Sequence, residues 1–157
     1  MAKLTVNEAA LQGFTDVVSF EFGEDFKLDT GSGTGVVKTY AVPEGTIITN
    51  CSVHKVANFT GGSISDCRLD IGFGGDGSAT IDDFIDDADI FDGAAEFVKN
   101  TGAKLIGGSG ARGHQFDAAD TIDIEFTPTG DSMANATGGK VVIKFTLLDM
   151  RDPAEIS

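Results

Sequence analysis

Tryptophan is absent from this chain, tyrosine occurs once, at Tyr40, and proline three times. Glycoside hydrolysis needs two carboxyls at a set separation in a cleft, usually beside aromatic sugar platforms. Twelve phenylalanines do not replace those platforms, because most fall at inward strand phases and read as core filler. Positive charge is also scarce. Eleven Lys and Arg stand against 25 Asp and Glu, a formal net charge of −14. Both halves are acidic, with 5 basic and 10 acidic groups in residues 1–80 and 6 and 15 in residues 81–157. Without a Lys/Arg cluster the chain cannot neutralise phosphates by counterion release, so no nucleic-acid partner is expected. Anionic membrane surfaces are excluded by the same electrostatics.

Long apolar runs are missing too. Nothing approaches the ~18 residues of a membrane-spanning helix. The opening Met1-Ala2-Lys3-Leu4-Thr5-Val6-Asn7-Glu8 lacks the charged-then-apolar order of a signal peptide. Synthesis and folding in a cytoplasm are therefore expected. The triplets Asn58-Phe59-Thr60 and Asn135-Ala136-Thr137 fit the glycosylation pattern but read as chance matches in a Thr-rich chain.

Two cysteines and two histidines are all the chain holds of either. Cys51 and Cys67 share strand phases with apolar neighbours, which suits two small buried thiols. A bridge between them is the alternative, and it requires Cα atoms within ~7 Å. His54 falls on the polar face of a candidate strand with Asn50 and Ser52. His114 closes the run Gly107-Gly108-Ser109-Gly110-Ala111-Arg112-Gly113. That run lacks the Gly-Lys-Ser/Thr of a phosphate loop, and no Gly-x-Ser-x-Gly elbow exists. No nucleophile–base pair emerges, so neither enzymatic activity nor a cofactor is expected. The glycine run reads as a turn with a surface Arg and His, whose best functional use is docking onto a neighbour through Arg112.

What the chain does hold is strands. At 157 residues it is one ordinary domain, able to bury roughly two-thirds of its unfolded surface. Its 21 glycines are about twice the usual ~7% and favour many tight turns. Period-2 apolar runs appear at Val17–Phe22, Val36–Val42, Ile47–Val56, Cys67–Phe73, Thr121–Thr127 and Val141–Leu148. One or two further strands are expected between Phe84 and Gln115, around Glu96–Val98 and Lys104–Ile106. With no 10–15-residue amphipathic helix between them, the expected fold is all-β: an antiparallel, jelly-roll-like β-sandwich of about eight strands. Residues 1–16 form an N-terminal arm or a short helix capped by Thr5 or Asn7, 17–148 the sandwich, and 149–157 a C-terminal tail.

The densest charge lies in Ile81–Asp92, with six aspartates in twelve positions. Asp82, Asp83, Asp86 and Asp87 are weak candidates for a Ca²⁺ site, completed by carbonyls of the Gly74-Gly75-Asp76-Gly77 turn. The spacing matches neither the EF-hand nor the Gly-Gly-x-Gly-x-Asp repeat. A solvated acidic loop, pinned to the core by Ile81, Phe84, Ile85, Ala88 and Ile90 or Phe91, is the preferred reading.

Several of these segments occur in a telling order. Tyr40-Ala41-Val42-Pro43-Glu44-Gly45-Thr46-Ile47-Ile48 leads into a long strand, and Leu69-Asp70-Ile71-Gly72 runs toward the Asp-rich segment. Gln115–Asp123 opens a strand ending in Thr127-Pro128-Thr129-Gly130, and a last strand follows Gly138-Gly139-Lys140. This order, over roughly residues 36–148, resembles small structural proteins of tailed bacteriophages, notably head decoration (cement) proteins. The resemblance implies a non-enzymatic virion protein on the outer capsid surface, commonly a homotrimer, whose partner is the major capsid protein. Its candidate contact residues are those the core does not claim: Leu4, Val6, Leu11, Phe14, Arg112, His114, Met150 and Arg151. A phage tail or fibre module touching the host surface, and a Ca²⁺-dependent carbohydrate-binding module, are the competing expectations.

Overall fold

The computed structural model describes residues 16–21, 35–73, 81–92, 97–99, 101–102 and 113–149. Nine strands run through them: β1 (Asp16–Glu21), β2 (Gly35–Val42), β3 (Thr46–Thr60), β4 (Asp66–Gly72), β5 (Ile85–Asp89), β6 (Phe97–Lys99), β7 (His114–Gln115), β8 (Asp120–Thr129) and β9 (Gly138–Asp149). All six strands expected from alternation are present. The arm expected before residue 16, the region around Lys104–Ile106 and the tail after Asp149 lie outside the described residues.

Two antiparallel sheets form. Sheet one has the order β1-β9-β3-β6, with β7 pairing the start of β3, and sheet two has the order β2-β8-β4-β5. The pairing is nested, first with ninth, second with eighth, third with sixth and fourth with fifth. Except at β4/β5 and β6/β7, where both strands stay in one sheet, consecutive strands alternate between the sheets, and the architecture is a jelly-roll-like β-sandwich.

Alternation decides which side chains meet between the layers. β3 and β9 contribute Ile48, Cys51, Val53, Phe59, Val141, Ile143 and Phe145, and β4 and β8 contribute Cys67, Leu69, Ile71, Ile122, Ile124 and Phe126, all essentially solvent-free. Phe59 of sheet one and Phe126 of sheet two touch across the core, their ring centroids 6.0 Å apart. The two cysteines are buried and not bridged to each other. Burial raises their pKa values, that of Cys67 to about 12, with repulsion from Asp66 and Asp89 adding to the burial effect.

One inward position on β3 carries a charge. Lys55 continues the core phase of Val53, is 1% exposed, and donates from Nζ to the backbone carbonyl of Asp92. Its methylene stem packs in the interior while its ammonium reaches the chain that leaves β5. The same crossing is held by Phe59 N–H donating to Ile90 O and by Ile90 N–H donating to Cys67 O. At this end of the sandwich the Asp131 carboxylate accepts from Ser63 N–H, Ser132 N–H and the Asn135 amide. These bonds join the β3–β4 turn to the β8–β9 connection.

The Asp-rich segment corrects the sequence reading. It is not a loop, because Ile85–Asp89 forms edge strand β5 on β4. Alternation misses this strand because of a bulge. The register steps from Leu69↔Ala88 to Ile71↔Ile85, which sets Asp86 and Asp87 opposite the single residue Asp70. Asp87 takes φ of 53° to make the extra residue fit, a conformation that Asp tolerates better than most side chains. Ile85 and Ala88 thus both reach the core although they are three apart. The pinning role expected of Ile81, Phe84, Ile85, Ala88 and Ile90 is what the structure has.

Candidate functional site

With the interior filled, the polar chemistry lies on the two outer sheet faces. On sheet two, the register sets Asp70 of β4 directly across from Glu125 of β8, a pairing of like charges that costs stability. Asp86 and Asp87 of the bulge stand on the other side of Asp70. Asp70 Oδ1 accepts the Asp87 N–H at 2.7 Å, so a carboxylate takes the place of a ladder carbonyl at the bulge. Arg68 answers part of this charge. Its Nε lies 3.0 Å from Asp66 and its terminal nitrogen 3.8 Å from Asp89. Farther along β8, Asp123 is almost fully buried and accepts from the Thr121 hydroxyl at 2.8 Å.

This crowding moves protons. Burial pushes the Asp70 carboxyl from 3.8 up to about 6, with Glu125, Asp86 and Asp87 adding repulsion and the Asp87 N–H opposing it. Burial raises Glu125 as well. Because the folded state holds the Asp70 proton more tightly than the unfolded chain, its stabilising contribution is complete below about pH 4 and is lost as pH rises through about 6. Two units amount to about 3 kcal/mol at most, and partial solvation of Asp70 reduces this to roughly 1–1.5 kcal/mol. Asp70→Asn should therefore stabilise the protein by about that much at pH 7.5 and by nothing near pH 4, measured by urea unfolding at both. An advantage independent of pH would contradict this origin.

The outer face of sheet one is different. β9 presents Lys140, Val142, Lys144, Thr146 and Leu148, which the register sets beside Ala57, His54, Ser52, Asn50 and Ile47 of β3. Lys99 of β6 stands across from Ser52, and Glu21 of β1 across from Lys140. Among the described residues, β9 thus places Lys140 and Lys144 on this face of a strongly acidic chain. It also exposes apolar surface, with Val56 47% and Leu148 46% accessible. Ser52 is 1% exposed, and its Oγ and the neighbouring Asn50 Oδ1 make no hydrogen bond among the described residues.

The candidate residues read from sequence fall as follows. Asp82 and Asp83 precede β5 and are half-buried, whereas Asp86 and Asp87 are exposed on it. Among the described residues, no three His, Cys, Asp or Glu side chains gather as a metal group. The Gly74–Gly77 turn that was to complete the Ca²⁺ site lies outside the described residues. His114 is not on a surface turn. It sits on β7 across from Ile48 and is half-buried, its ring stacked on Phe73 at 4.2 Å and edge-on to Phe116 at 4.8 Å. Leu4, Val6, Leu11, Phe14, Arg112, Met150 and Arg151 lie outside the described residues. Reasoning from sequence missed the Asp70–Glu125 opposition and the lysine face. Alternation does place Asp70 outward, but only the register shows which carboxylate it meets.

Compared with protein-family models, curated proteins and solved structures, the chain matches none.

Proposed function

We propose that this protein is a structural virion component that binds the outer surface of a phage capsid and stabilises it, without enzymatic activity. The observation that carries the reading is the nested jelly-roll strand order, together with the ordered resemblance to head decoration proteins over residues 36–148. A sandwich filled by Phe, Ile and Val leaves its faces and rims as the working surface, which suits a protein that bridges subunits. Such bridging needs interfaces of more than ~1,000 Å² in total rather than a cleft. The partners under this reading are the major capsid protein and further copies of the chain, as a homotrimer. The net charge of −14 keeps free copies soluble and off nucleic acid while they assemble from outside.

The test is co-sedimentation of the purified protein with undecorated, expanded capsids. It is expected to pellet with them up to a fixed number of copies per capsid and to raise the temperature at which they rupture. A protein that stays in the supernatant at saturating capsid overturns the reading.

A further inference from the structure

We propose that copies of this chain associate face to opposite face, the lysine-bearing outer face of sheet one in one copy docking on the carboxylate-bearing outer face of sheet two in the next. The inference deepens the assembly reading above, on which it rests for its setting, by naming the two surfaces. The argument is charge complementarity between faces of one molecule. Lys140 and Lys144 are four residues apart on β9 and on the same face, hence about 13 Å apart along the strand. Asp86, Asp70 and Glu125 lie on β5, β4 and β8, three adjacent strands, which spreads their charges over about 10 Å. The two charge sets are therefore of matching size. Within its own chain Asp70 meets carboxylates on both flanking strands, and a neighbour's lysines would relieve that repulsion.

Steering follows from the same arrangement. Two copies of a chain this acidic repel at long range, and only the orientation that brings lysines to carboxylates lowers the barrier. Exposed Val56 on sheet one adds apolar area beside the lysines. Because the two surfaces differ, the contact is heterologous and repeats until a ring closes or a filament grows.

Sedimentation equilibrium of the full chain at pH 7.5, in 20 mM and 500 mM NaCl, reads the contact directly. The wild type is expected to associate at low salt and to weaken at least tenfold at high salt. Lys140→Glu with Lys144→Glu makes both faces acidic, and Asp86→Lys with Glu125→Lys makes both basic. Each double variant should be monomeric where the wild type associates, and an equimolar mixture of the two should associate again. If a reversal fails to fold by circular dichroism, the neutral pairs Lys140→Gln/Lys144→Gln and Asp86→Asn/Glu125→Gln replace it, each expected to weaken association. A wild type monomeric at low salt, association indifferent to salt and charge, or a mixture of folded variants that stays monomeric overturns the proposal. Capsid co-sedimentation is scored separately. A chain that pellets with capsids but never self-associates sinks this contact alone, and one that self-associates but does not pellet sinks the capsid reading alone.

Discussion

Phe126→Ala is expected to cost about 3–5 kcal/mol, a large share of the roughly 5–15 kcal/mol that holds a domain folded. Phe126 is fully buried on β8, across from Leu69 of β4, and its ring meets Phe59 of the opposite sheet. Truncation removes the contact that joins the two layers and leaves a void which rigid strands on both sides cannot close. For a chain of this size each kcal/mol lowers the melting temperature by roughly 2–4 °C, so a drop of about 6–20 °C is anticipated. Thr127, next along and facing outward, supplies the control: Thr127→Ala should stay within about 0.5 kcal/mol. Chemical denaturation of both variants decides the matter. A Phe126→Ala loss below about 1 kcal/mol would mean that the two sheets do not meet through this ring.

The second large effect belongs to a residue without a side chain. Gly139 opens β9 with φ of 141°, and a Cβ built there would stand 2.4 Å from Phe59 Cδ1 and 2.5 Å from its Cγ. The Phe59 ring occupies the space that a side chain at position 139 would take. Gly139→Val combines overpacking, about 1–3 kcal/mol, with a strained backbone, about 1–3 kcal/mol. The expected loss is thus about 2–6 kcal/mol by urea denaturation. Gly138→Ala is the comparison, since its Cβ would come no nearer than 3.3 Å to the Thr60 hydroxyl and should cost far less. Adding Phe59→Leu to Gly139→Ala should recover part of the loss, because the two sites share one space. If Gly139→Val melts like the wild type, the packing of Phe59 on β9 is wrong.

Strands with strict alternation were legible in the sequence because one face is wet and the other dry. Cys67–Ile71 buries every second residue, and in Thr121–Phe126 the apolar Ile122, Ile124 and Phe126 are buried at that period, with Asp123 buried besides. β5 escaped because its bulge breaks the period of two, and a run of aspartates ordinarily signals solvent. β7 escaped because two residues carry no period. His114 was misplaced for the same reason: its position depends on the pairing with Ile48 and on Phe73 and Phe84, both distant in sequence. The inward lysine at Lys55 has no local signal, since its partner is a backbone carbonyl thirty-seven residues on. Net charge suggested a uniformly negative exterior. Only strand order could reveal that Lys140 and Lys144 share a face from which Asp70 and Glu125 are excluded.

The nested pairing has a temporal consequence. β4 and β5 are near neighbours in sequence and can meet early, but among the described residues β1 pairs with β9 alone, more than a hundred residues later. Closing so long a loop is entropically slow, and sheets dominated by distant pairings fold in milliseconds to seconds rather than microseconds. On the ribosome, β1 must therefore wait, its hydrogen-bonding edge unoccupied, until almost all the remaining strands have emerged. The order of wrapping that seals the sandwich also makes its first strand the last to find a home.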